Sequence, residues 1–183
     1  ITALQADRFA VAGTLSAYEM GVYFRNVTLA SLALQVFSII SFNRVSPRIF
    51  ALSRNGNFPQ AKAMARREYL RFLRLAVAVF AAAVLGNLLL DNPAARYDVS
   101  MPFLLVLACG VALRSGADYA GVLLLSVRQD RIVIRNQFVS VLAGIILLVA
   151  LAIQFGLPGA IAGTVFAPLF CLLLHRMRLL RLL

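Results

Sequence analysis

Residues 44–74 read RVSPRIFALSRNGNFPQAKAMARREYLRFLR and hold eight of the chain's 18 basic residues against one acid, Glu68. Apolar runs lie on both sides, VTLASLALQVFSIISF at 27–42 and LAVAVFAAAVLGNLLL at 75–90. A basic connection between two membrane-length apolar segments is a strong orientation signal, and it reads as a cytoplasmic loop of a polytopic membrane protein. Composition agrees. The 183 residues are 62% hydrophobic and 14% charged, with a mean hydropathy of +0.88, whereas soluble domains run roughly 45–50% apolar and about 25% charged. A larger core does not account for that excess; a lipid surrounding does.

Working outward, residues 1–16 are apolar but for Asp7 and Arg8 and fall short of the about 20 residues a spanning helix needs. They read as the outer part of a helix that begins earlier. The chain opens at Ile1 with no basic region or cleavage site, so it is expected to be cut from something longer. A long helix then runs to about residue 44, with a possible extension to 52. Asn55, Gly56, Asn57 and Pro59 mark a turn. The helix after it starts basic and amphipathic at the membrane surface, enters the bilayer near Leu75 and ends at Asp91. Met101 and Pro102 open the next span, a basic loop at 128–135 follows, and GLPG at 156–159 connects two further apolar runs. The fold class expected is all-α: a membrane helix bundle with about five full spans plus a partial first one.

The charges test this layout. Residues 44–74, 128–135 and 176–181 fall on one side and carry 14 of the 18 basic residues; the opposite connections carry only Arg96. Alternate basic loops are what a consistent topology requires. The net charge of +11 is thus distributed between apolar runs and forms no nucleic-acid-binding face. Cys109 and Cys171 sit inside apolar runs and are expected to pack there, neither paired nor metal-bound.

No phosphate loop, zinc spacing or nucleophile motif occurs, so no catalytic residue, metal or cofactor is expected. His175 is expected at the membrane interface. The informative residues are polar ones inside spans, where an unpartnered charge costs about 2.5–3.5 kcal/mol. Arg25, Thr28, Ser31, Gln35 and Ser38 recur at helical spacing and either bond neighbouring helices or line a cavity; for Arg25 the cavity is favoured. Arg114 and Asp118 stand four apart at mid-span. They either neutralise each other or face a cavity, Arg114 meeting an anionic substrate and Asp118 acting as counterion or coupling-ion site. Asp7 and Arg8 point about 100° apart, and Asp7 is favoured to face the same cavity. Gly159 and Gly163 form a G-x-x-x-G helix-contact pattern, and Pro168 is expected to kink the last span.

The segment DRFAVAGTLSAYEMGVYFRNVTLA resembles one found in the polysaccharide flippases of the multidrug/oligosaccharidyl-lipid/polysaccharide exporter superfamily, through Asp7, Gly21 and Tyr23. Pro47 before a basic helix, and Gly156, Gly159, Ala160 and Thr164 near the end, resemble later features of that family in the same order. The resemblance covers nearly the whole chain and implies that residues 1–183 are the second, C-terminal lobe of a two-lobe transporter. It further implies a flippase for undecaprenyl-pyrophosphate-linked oligosaccharide in a bacterial inner membrane. The partners implied are the lipid-linked oligosaccharide, membrane lipids, an N-terminal lobe of the same protein and a glycan polymerase complex. Arg25, where the family usually has a small or neutral residue, sets this chain apart from a generic substrate. The rivals are a drug/cation antiporter of the same superfamily, which would want more acidic residues in its cavity, and a membrane-embedded glycan-assembly enzyme or scaffold.

Overall fold

A backbone in lipid has no water to bond, so it closes its peptide groups within helices. The computed structural model describes residues 6–89 and 99–181, with side chains throughout except at residues 6–8 and 33. The helices are α1 (Ala6–Ala12), α2 (Ala17–Arg54), α3 (Phe58–Leu89), α4 (Met101–Ser126), α5 (Asp130–Gly163) and α6 (Phe166–Leu180), and no strand occurs among the described residues. Helices α2 to α5 are each long and apolar enough to cross a membrane. The protein is an all-α membrane helix bundle.

Helix α5 has two limbs. Gly156 breaks it with φ 60° and ψ −139°, a conformation open to glycine and strained for residues with a Cβ. Pro158 follows in the first turn of the second limb, where its missing N–H is not needed. Residues 157–163 then run back along the first limb and continue, after a break at Thr164 and Val165, into α6. The close pairs give the register: a side chain on Gly163 would meet Leu148 Cα at 2.6 Å, and one on Gly144 would collide with Ala167. Small residues at these steps let two backbones approach. The G-x-x-x-G at 159 and 163 is therefore a contact within this hairpin. Four helices among the described residues thus have spanning length, the last apolar run is divided between the returning limb and α6, and α1 is seven residues long.

Two expectations on boundaries are corrected and one is sharpened. Within 44–74, α2 runs to Arg54, just past the extension to 52, and α3 starts at Phe58, at the expected turn. Positive charge does not interrupt a helical backbone, and the Ala, Arg, Leu and Met of this stretch are good helix formers. Only 55–57 connect, through a Schellman turn in which Gly56 N–H donates to Ser53 O and Asn57 N–H to Leu52 O. Pro47 sits inside α2. One residue before it, the Ser46 hydroxyl donates to Phe42 O at 2.7 Å. The basic loop expected at 128–135 is likewise short, because α5 begins at Asp130. The last span breaks at Thr164 and Val165, before Pro168, which lies in the first turn of α6 where proline is tolerated.

Helix α4 is central and touches α2, α3, α5 and α6. Its small residues fit each neighbour: Gly110 lies 3.5 Å from Val165, Gly116 3.1 Å from Tyr69 and Gly121 3.4 Å from His175, measured to the position a Cβ would take. Three apolar clusters fill the bundle. One joins Tyr23, Leu107, Leu148 and Ile161, one Leu34, Phe72 and Ala76, and one, at the basic end, Val45, Ile49, Ala65 and Leu123.

The turn after α4 repeats the Schellman pattern, with Gln129 N–H donating to Leu124 O, but Arg128 occupies the left-handed position at φ 59°. That conformation costs a residue with a Cβ about 1–2 kcal/mol. Arg128→Gly should therefore raise the thermal midpoint of the purified protein in detergent, by the equivalent of about 1 kcal/mol, and Gly156→Ala should lower it. Equal midpoints for both variants and the native chain would contradict these two backbone assignments.

Candidate functional site

Helices α2 and α4 run in the same direction toward the basic end, and a line of polar contacts joins them. Asn26, fully buried, accepts from Ser100 N–H at 3.2 Å and donates to Val22 O at 2.9 Å. Ser38 and Ser115 lie 3.3 Å apart, Ser41 and Tyr119 2.7 Å, and Ser53 and Ser126 2.8 Å. Hydroxyls between membrane helices are a common adhesive, each worth about 0.6–2 kcal/mol. This seam positions the residues that remain outside it.

The polar stripe of α2 divides accordingly. Thirteen residues at 100° each carry the line from Arg25 to Ser38 about 140° around the helix. Ser38 at one edge is taken into the α4 seam, Ser31 returns its hydroxyl to Thr28 O at 3.4 Å, and Gln35 is half-buried. Arg25 and Thr28 at the other edge are exposed. Of the stripe, Ser38 makes the helix contact, Ser31 bonds its own helix, and Arg25 and Thr28 are exposed.

Arg114 is exposed at the middle of α4, and Asp118, one turn on, is half-buried. Their side chains form no ion pair within 4.0 Å. The neighbours of Arg114 are each spoken for: Ser115 faces α2, Gly116 faces Tyr69 of α3, and Ala117 faces His175 of α6. Arg114 is exposed although Gly110, one turn before it, lies against Val165, and Ala117 and Gly121 after it lie against His175. Asp118 lies within electrostatic reach of both Arg114 and Cys171. An exposed guanidinium at mid-span can hold an anion through its planar fork of donors. The structure brings Asp118 and Arg114 to one face; Gln35 and Arg25 lie on α2. Asp7 is on α1, and its side chain is outside the described residues.

Three polar residues escaped the sequence reading. His175, near the end of α6, is fully buried, with Nδ1 3.1 Å from Ala117 O and Cys171 Sγ 3.9 Å from the ring. It ties α6 to α4. The signal was the pair Ala117 and Gly121, small residues one turn apart that make room for an imidazole. Asn26 and Glu68 are the others, buried by partners far away in sequence. Cys109 is exposed, Cys171 half-buried, and both are free thiols. Among the described residues no group of three His, Cys, Asp or Glu could hold a metal. Compared with family models, curated proteins and solved structures, the chain matches none.

If Arg114 faces water, a cysteine placed there in a chain lacking Cys109 and Cys171 should react with a membrane-impermeant thiol reagent. Phe138→Cys, on the 69% exposed apolar face of α5, should stay unlabelled as a lipid-facing position. Equal protection of both positions would mean that the Arg114 face is dry.

Proposed function

We propose that this chain is one lobe of a membrane transporter that moves an anionic, pyrophosphate-linked oligosaccharide lipid between leaflets. The observation that carries this reading is Arg114: mid-span, exposed and without an ion-pair partner within 4.0 Å among the described residues. A guanidinium in that position is costly in hydrocarbon and is retained where water or an anion meets it. Arg25, exposed nearer the other end, would extend the same cationic face. Asp118 would hold local charge in balance or take a coupling ion. Two lobes with such faces would enclose a cavity and alternate its access by rocking.

Orientation follows from the basic residues. The 14 of 18 basic residues in alternate connections support a cytoplasmic position for that end, which would be that of a bacterial inner membrane on the resemblance to polysaccharide flippases. The same reading makes Gln35 a polar contact for cargo, an N-terminal lobe the other half of the cavity, and a glycan polymerase complex a neighbour.

The test is complementation of cells that lack their own flippase, with surface polysaccharide measured at matched protein level. A hydrogen bond to a charged group is worth about 1.5–3 kcal/mol, so Arg114→Ala in the full-length protein should reduce export about tenfold or more. Asp118→Ala should also reduce it, and exchanging the two residues should not restore it. Full export from the exchanged pair would mean that the two only neutralise each other; full export from every variant would sink the transport reading.

A further inference from the structure

Glu68 is the one acid of residues 44–74, and α3 buries it to 6% exposure against α2. Its Oε1 accepts from Arg71, one turn along α3, and its Oε2 lies 3.7 Å from Arg44 of α2. The two arginine side chains remain open, Arg44 at 61% and Arg71 at 45% exposure. Ser41 and Tyr119, 2.7 Å apart, sit within electrostatic reach of Glu68 and Arg44. Arg67, Arg71 and Arg74 recur at spacings of four and three along one side of α3, and Arg48 follows Arg44 by one turn of α2; all are exposed.

A basic segment that only sets topology needs its Lys and Arg residues and has no use for a buried acid. Glu68 adds nothing to that signal, and burying a carboxylate costs several kcal/mol before its partners offset it. What it provides is geometry. One carboxylate lies against two partly exposed guanidiniums from different helices and leaves the trio one positive charge in excess. Fixing long side chains in advance removes the ordering cost of a later binding step, and paired guanidiniums suit a tetrahedral oxyanion better than ammonium groups do.

We propose that Arg44 and Arg71, held by Glu68, form a binding site for a phosphate or pyrophosphate group at the basic end of the bundle. The site rests on the packing of α2 against α3 and stands whether or not the chain transports anything. It lies at the ends of spanning helices, where the phosphate of a lipid headgroup and a phosphate from solution both have access.

The experiment is a thermal-shift titration of the purified full-length protein in neutral detergent at fixed ionic strength. The ligands are short-chain phosphatidic acid, short-chain phosphatidylcholine and sodium pyrophosphate. Saturable stabilisation by phosphatidic acid and not by phosphatidylcholine is expected. Stabilisation by pyrophosphate as well makes the site one for free phosphates; its absence restricts the site to headgroups. No stabilisation by either phosphate ligand overturns the proposal. Glu68→Gln separates a built site from diffuse attraction, because the two predict opposite signs. Losing the anchor should raise the half-saturating concentration about tenfold, whereas diffuse attraction to a patch that has gained one positive charge should lower it. Binding as tight as the native protein's, or tighter, refutes the site. Should Glu68→Gln fail to fold, the double variant Arg44→Lys/Arg71→Lys keeps every charge and loses the fork geometry. A similar tenfold weakening is expected there, and unchanged binding is the refuting result.

Discussion

The bundle depends on how closely the two limbs of the α5–α6 hairpin approach. Between helices in lipid there is no hydrophobic force to spend, since hydrocarbon surrounds them in any case; contact must come from packing and hydrogen bonds. Gly144 against Ala167 and Gly163 against Leu148 leave no room for larger side chains, so backbones supply the contact. The register set there carries down the hairpin to Ser140 opposite Cys171 and to His175. His175 then reaches α4, and α4 carries the seam to α2. A side chain at Gly144 would therefore displace more than its own hairpin.

This order of dependence explains which parts of the molecule could be read in advance. The apolar spanning runs, the turn at 55–57, the reversal at Gly156 and the G-x-x-x-G contact are local. Each follows from residue types within a few positions, or from a run of apolar side chains long enough to cross a bilayer. At the basic end the turn and the basic helix after it were legible, and the reading fell short mainly at 128–135, where charge was taken as a sign of loop and a helix begins at Asp130. A helix that leaves the membrane keeps its hydrogen bonds, and Arg and Lys sustain it, so α2 and α3 extend into the basic stretch until glycine and asparagine end them. What breaks a helix is backbone chemistry, not polarity.

The polar residues were legible in kind but not in assignment. A stripe from Arg25 to Ser38 announces that α2 has a special side, yet no local rule says which edge of it meets α4. Ser115 and Tyr119 determine that, some 77 and 78 positions on. Glu68 looked like a lone acid in a basic run and is an anchor because α2 lies over it. His175 looked interfacial from its place near the end of a span. Position along a helix fixes depth; only the neighbouring helices fix the face, and for these residues the face decided the role.

The same distinction bears on the arginines. Arg44 and Arg71 have a carboxylate in contact, stand at the ends of their spans and can be understood within this chain. Arg114 stands at mid-span with its nearest acid, Asp118, half-buried and out of ion-pair contact. A paired charge costs far less in lipid than an open one, so an exposed Arg114 that is not turned onto Asp118, one turn away, is compensated by water or by an anionic group. On the transport proposal that compensation would come from a hydrated space beside α4 and from the cargo's phosphates; Arg44 and Arg71 need no such proposal, because their carboxylate is in the same chain.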